Sequence, residues 1–284
     1  MQWRGQRRSD NIEDRRGAGR AGGRGGKAGG IGLLAVVIIG YFMGIDLTPL
    51  LNQTGAPATQ SQSTDLSQSE RDAGAFVSVV LAKSEDIWGG IFDSSLGTRY
   101  NPPTLVLYSG ITDSPCGDAS GATGPFYCPG DQKIYLDTAF FDTMQRELGA
   151  GGDFAMAYVV AHEVAHHVQN ELGIMAQAQQ LRAQSDQVSG NQISVRIELQ
   201  ADCLAGIWAA QVKAQFGTID KGDFAEALNA AKQIGDDTLQ RSAGQLPMPH
   251  TFTHGTSAQR MAWFDRGLKA DSLESCDTFS ARKL

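Results

Sequence analysis

The stretch Val159-Val160-Ala161-His162-Glu163-Val164-Ala165-His166-His167-Val168 constrains this chain more than any other. It sets His-Glu-x-x-His inside an apolar run of the kind that forms a buried helix. Residues four apart on an α-helix stand about 40° apart around its axis, so His162 and His166 can offer two imidazoles to one cation. Glu163 stands about 100° round from His162, beside such a cation rather than on it, where a general base for a metal-bound water belongs. The chain has five histidines and three of them fall here, among uncharged neighbours. His167 points away from the pair by helix geometry and reads as a packing or surface residue.

Two imidazoles do not complete a site. A metzincin would have Gly at 169 and His at 172, where this chain has Gln169 and Leu172, so that class is excluded. A second helix is expected from about Ser194 to Phe216, and it places Glu198 and Asp202 on one face among Cys203, Leu204, Ile207, Trp208 and Val212. Two carboxylates on one buried face are costly unless a positive charge compensates them. A zinc ion bound by Glu198 supplies that charge, with Asp202 accepting the free N–H of a ligating histidine. The competing reading is a solvated acidic stripe, or Glu198 paired with Arg196 or Arg260. His254 precedes Gly255, just ahead of a helix capped by Thr256 or Ser257, and suits a donor aimed at a developing oxyanion. Packing or capping accounts for His250 and His254 equally well.

The net charge of −7 conceals an asymmetry, because residues 1 to 27 carry eight Lys or Arg against Asp10, Glu13 and Asp14. This Gly-rich, basic stretch is expected to be a disordered arm. The eighteen residues from Ala28 to Ile45 carry no charge, slightly short of the roughly twenty needed to cross a bilayer. A transmembrane signal anchor over 28–47 follows, with cations holding the N-terminus in the cytoplasm. A cleaved signal peptide competes, but the A-x-A-like site at Ala56-Pro57-Ala58 lies well past the apolar run. With the arm's charge assigned to topology, no nucleic-acid partner is expected. Residues 48–66 are rich in Ser, Thr, Gln and Pro and read as a flexible linker.

The folded domain is expected over 67–284. Ser67 and Glu70 have the spacing of a capping box opening a first helix that carries Phe76, Val79, Val80, Leu81, Ile87 and Trp88. Thr104 to Ser109 reads as a strand, and Phe126 to Asp137, about the turn Pro129-Gly130-Asp131, as a hairpin or a strand entered through a bulge. Asp153 is expected to cap the metal helix, which runs to about Leu172. A polar connection through Ser185 to Asn191 is expected to lead into the helix from about Ser194, and a further helix is expected from about Phe224 to Ile234. The four cysteines suit an oxidising compartment. Cys116 and Cys128 would close a short ring and leave Cys203 with Cys276, although four cysteines allow three pairings. None has the C-x-x-C spacing of a zinc ribbon.

Together, the basic N-terminus and apolar run, Gly124-Pro125-Phe126-Tyr127-Cys128-Pro129, His162 to His166, Glu198 to Asp202 and Phe252-Thr253-His254-Gly255 resemble the predicted neutral zinc metallopeptidases of bacteria, the YpfJ type. The Glu198-x-x-x-Asp202 pair after His-Glu-x-x-His is also similar to the gluzincin pattern. The resemblance implies an α+β, zincin-like domain, mainly helical with a small sheet. It implies zinc on His162, His166 and Glu198, Glu163 as base, and Asp202 behind the ligands. The function expected is a membrane-anchored metalloendopeptidase acting on peptide or protein substrates. Its setting would be the bacterial inner membrane, with the catalytic domain in the periplasm. The alternative is a non-catalytic, membrane-tethered binding module with a structural zinc.

Overall fold

The computed structural model describes residues 1–17, 66–117, 119–120 and 124–284. The expected membrane span, 28–47, and nearly all of the linker lie outside these residues. Among the described residues no helix is long and apolar enough to cross a membrane.

The architecture is α+β, mainly helical with a small sheet. After β1 (Ile12–Asp14) come α1 (Gln68–Ile91), β2 (Thr104–Tyr108), and the short strands β3 (Ile111–Thr112) and β4 (Ala119–Ser120). Next are β5 (Phe126–Cys128), β6 (Lys133–Asp137), α2 (Ala139–Arg146), α3 (Asp153–Glu171) and α4 (Ile174–Ala183). The chain ends with α5 (Gln187–Phe216), α6 (Asp223–Gln233), α7 (Asp236–Ser242) and α8 (Ser257–Leu268). The sheet order is β1-β2-β6-β5. β2 pairs parallel with both β1 and β6, whereas β5 runs antiparallel to β6 and forms the edge nearest α3. Of the two expectations for 126 to 137 the hairpin is therefore the one present, and both capping boxes, Ser67 with Glu70 and Thr256 with Gln259, form.

The N-terminal segment departs from expectation. Residues 1–17 are not a disordered arm but part of the domain, with Ile12, Glu13 and Asp14 in register against Leu105, Val106 and Leu107. Two of its cations pair with acids of α1, Arg7 with Glu85 at 3.1 Å and Asp86 at 2.8 Å and Arg4 with Asp72 at 3.3 Å, while Arg15 and Arg16 pair with Glu13 and Asp14 of the segment itself. Trp3 packs edge-on against Phe76. Composition averaged over 27 residues hid two apolar anchors and a charge pattern complementary to one helix. The pairing also has a topological consequence. A single crossing between residues 17 and 66 would put β1 and β2 on opposite sides of a bilayer, so the expected cytoplasmic N-terminus and periplasmic domain are incompatible with this sheet.

Helix boundaries shift where caps were misread. Gly152, at φ 113°, is the N-cap of α3, and Asp153 is its first residue. The amide of Phe154 donates instead to Glu226 Oε2 of α6 at 3.0 Å. Gly173, expected to end α3, adopts the left-handed conformation at φ 75° and is the N-cap of α4, a helix not placed from the sequence. Asp186 caps α5, which is two turns longer at its start than its apolar spacing indicated.

α3 and α5 form the core, with Trp208 stacked on Phe154 and Phe264 of α8 edge-on to Tyr158. α5 and α8 meet almost backbone to backbone. A Cβ on Gly267 would lie 1.9 Å from the carbonyl oxygen of Cys203, and one on Gly206 would lie 2.2 Å from that of Phe264. Gly267→Ala should therefore destabilise the protein by about 1–3 kcal/mol despite alanine's better helix propensity, since overpacking forces the helices apart. Chemical denaturation of the variant checks this, and an unchanged or raised midpoint would refute it. Both disulfides, Cys116–Cys128 and Cys203–Cys276, are formed.

Candidate metal centre

α3 is buried almost all round, from Phe154 to Gln169, so its polar side chains must find partners inside the protein. His162 and His166 project toward α5 with rings 4.7 Å apart and nearly perpendicular. Glu198 lies between them: its Oε2 is 3.1 Å from His162 Nε2 and its Oε1 is 3.5 Å from His166 Nε2. Donor atoms of the three residues lie within 4.8 Å of one another. Two ligands about 2.1 Å from a tetrahedral zinc stand about 3.4 Å apart, so this spacing suits that ion. The other ring nitrogens are held: His162 Nδ1 lies 2.9 Å from Asp202 Oδ1, and His166 Nδ1 lies 2.9 Å from Gln169 Oε1. Both Nε2 atoms are thereby left to the site, as histidine ligation to a metal requires.

The electrostatics divide the carboxylates. Burial pushes Glu163 up to about 7, only partly offset by His162 and by a backbone hydrogen bond from Tyr127 on β5. Glu198 is also buried, but His166, His254 and His162 outweigh that burial and hold it well below the usual carboxylate range. For Asp202, Arg260 and His162 likewise outweigh burial and keep it ionised. Burial lowers His166 to about 4, while Asp202 and Glu198 overcome burial at His162 and raise it to about 9.

Several supporting residues were missed or misassigned from sequence. Arg260, considered as a partner for Glu198, pairs with Asp202 instead, its Nε 2.8 Å from Oδ2 and its Nη2 3.0 Å from Oδ1. Tyr158, one turn before His162, donates to Asp202 Oδ1; that one-turn spacing was the available signal. Gln169 registered in the sequence only as an absent glycine. His254 does reach the site, where burial disfavours its charge but Glu198 and Asp236 together raise its pKa. Its loop is fastened by Asp236, whose Oδ2 accepts from the amides of Thr253, His254 and Gly255 at 2.9, 2.7 and 2.9 Å. No spacing rule pointed to Asp236. His250 is exposed, away from the three ligands, and its carbonyl accepts from Asn191. His167 is a packing residue, held by Tyr127 and the carbonyl of Asn101 and edge-on to Tyr100.

A second acidic group, Asp153, Asp223 and Glu226, surrounds the α-ammonium of Met1, which is 2.7 Å from Asp153 Oδ1. Glu226 also accepts from the Phe154 amide of α3, so this cluster has partners within the chain and helps seat the start of α3.

A buried His-Glu-x-x-His helix with a carboxylate presented from a neighbouring helix defines the class: three grouped residues that could hold a metal ion, with a second glutamate, Glu163, beside them. The chain belongs to the family described as "Putative neutral zinc metallopeptidase", which matches residues 1–279 and so includes β1. It is 48% identical to the "Uncharacterized protein YpfJ" of Escherichia coli K12 across 98% of this chain and 99% of that one. It is 45% identical over 195 residues, 65% of each chain, to the "Uncharacterized protein Rv2575" of Mycobacterium tuberculosis H37Rv. No solved structure matches.

Proposed function

We propose that this protein is a zinc-dependent, zincin-like endopeptidase whose metal is held by His162, His166 and Glu198. The observation that carries the reading is the placement of both Nε2 atoms about Glu198, with both Nδ1 atoms committed elsewhere and Glu163 beside the pair. Zinc, when bound there, supplies a Lewis acid that polarises a carbonyl and makes a water molecule more acidic. Glu163 takes the proton of the attacking water and returns it to the leaving amine, a task suited to a carboxylate raised toward neutrality. His254 donates toward the carbonyl oxygen as negative charge develops on it. β5 is the edge strand of the sheet among the described residues, and backbone pairing along it beside Glu163 would fix an extended peptide substrate. A purely structural zinc leaves Glu163 without a use.

The two disulfides support an oxidising compartment for the domain. Residues 1–17 then share that compartment.

Metal analysis of the whole protein tests the ligand set. One zinc per chain is expected, falling to near zero in Glu198→Ala. Full zinc content in that variant would remove Glu198 from the site.

A further inference from the structure

The ring of His166 is oriented by a chain of hydrogen bonds that runs out of the metal centre and ends on the C-terminal segment. His166 Nδ1 meets Gln169 Oε1 at 2.9 Å. The Gln169 amide nitrogen donates to the carbonyl of Ile197 at 2.8 Å and to Gln200 Oε1 at 2.9 Å. The Gln200 amide nitrogen in turn donates to the carbonyl of Cys276 at 3.2 Å.

The direction of these bonds is forced. A backbone carbonyl only accepts, so the Cys276 carbonyl requires the NH2 of Gln200 to face it, and Gln200 must turn its oxygen to Gln169. Gln169 then has both N–H groups engaged, one on Gln200 and one on the carbonyl of Ile197, and only its oxygen is left for His166. His166 must therefore carry its proton on Nδ1, with the Nε2 lone pair directed at the site. Reversing either amide would set acceptor against acceptor at a buried position, leaving groups unpaired at a cost that burial makes large.

What holds the outer end in place is covalent. Cys276 is bonded to Cys203, which lies three residues after Gln200 on the same helix, and both sulfurs are buried. The same C-terminal segment is fastened to α5 again by Arg196, which donates to the carbonyls of Thr278 and Ala281, and by Thr278 Oγ1, which donates to the carbonyl of Arg196 at 2.7 Å. Cys116–Cys128, by contrast, joins the β5 strand to its preceding loop and shares no residue with this chain of bonds.

We propose that Gln200 and the Cys203–Cys276 disulfide are positioning elements for His166, selecting the tautomer that can ligate the metal. The inference rests on the metal-site reading above for its purpose but not for its geometry. It makes metal affinity depend on a crosslink whose sulfurs never touch the ion.

Two variants test it, Gln200→Met and Cys203→Ala/Cys276→Ala, with Cys116→Ala/Cys128→Ala as the control for loss of a crosslink. Long-range nitrogen–proton spectra of the metal-free protein report the His166 tautomer, and chelator competition reports zinc affinity. The expected result is a single Nδ1–H tautomer in the wild type and the control. Both test variants should show a mixture and a zinc affinity lowered by about 10–100-fold, the usual effect of losing a group that orients a ligand. Gln200→Met keeps the disulfide, so it remains informative if the cysteine variant folds poorly. An unchanged tautomer and unchanged affinity in Gln200→Met would overturn the inference. The expected tautomer changes without zinc binding in the wild type would sustain it and overturn the metallopeptidase reading instead.

Discussion

Glu163→Gln is expected to retain one zinc per chain and to lose about 10²–10⁴-fold in peptide hydrolysis, the range for removal of a general base. The two effects separate because Glu163 supplies none of the donor atoms grouped around Glu198. Glutamine also nearly reproduces the shape of the side chain and leaves its contact with the Tyr127 backbone possible. Burial makes the choice of residue consequential: a carboxylate pushed up to about 7 can both accept and release a proton near neutral pH, whereas an amide does neither. Turnover of an unstructured protein substrate, measured beside zinc content, decides the matter. Wild-type turnover in a zinc-loaded Glu163→Gln variant would transfer the base role to another group.

The largest effect on stability is expected at Arg260. Its guanidinium grips both oxygens of Asp202 and lies against Tyr158, all three buried. Arg260→Met would leave Asp202 charged among apolar neighbours with only Tyr158 and His162 to compensate it, at a cost of about 3–5 kcal/mol. Replacing Asp202 as well, as in Arg260→Met/Asp202→Leu, should recover much of that loss in the metal-free protein, because no buried charge is then left unpaired. Zinc binding should not recover with it, since His162 has then lost the acceptor for its Nδ1 proton. Equilibrium denaturation of the two variants provides the comparison. A double variant as unstable as the single would show that Arg260 acts through packing of its stem rather than through its charge.

These two positions mark how differently parts of the site could be read from the chain. Glu163 was assigned from a local rule, since helix geometry alone sets it one step from His162 and no other part of the protein is needed. Arg260 lies 98 residues from His162, and nothing in its neighbourhood distinguishes Asp202 from Glu198 as its partner. Glu198 and Asp202 fall between these cases. Their shared helical face was visible, but which carboxylate met the histidines' Nε2 atoms and which an Nδ1 depended on how α5 crosses α3.

What the sequence by itself determined was local: the buried His-Glu-x-x-His helix with its two imidazoles and glutamate, the capping boxes, the turn Pro129-Gly130-Asp131, and the core residues of α1. Each rests on spacing within a turn or two, where the backbone's own geometry does the work. Only the tertiary structure decided that residues 1–17 belong to the sheet, because strand pairing joins segments about 90 residues apart through bonds that leave no periodic trace. The same holds for the Asp236 clasp on the His254 loop, the Arg260–Asp202 pair and the amide chain from His166 to Cys276. These are single hydrogen bonds between side chains and backbone groups distant in sequence, and their partners are chosen by where the helices come to rest.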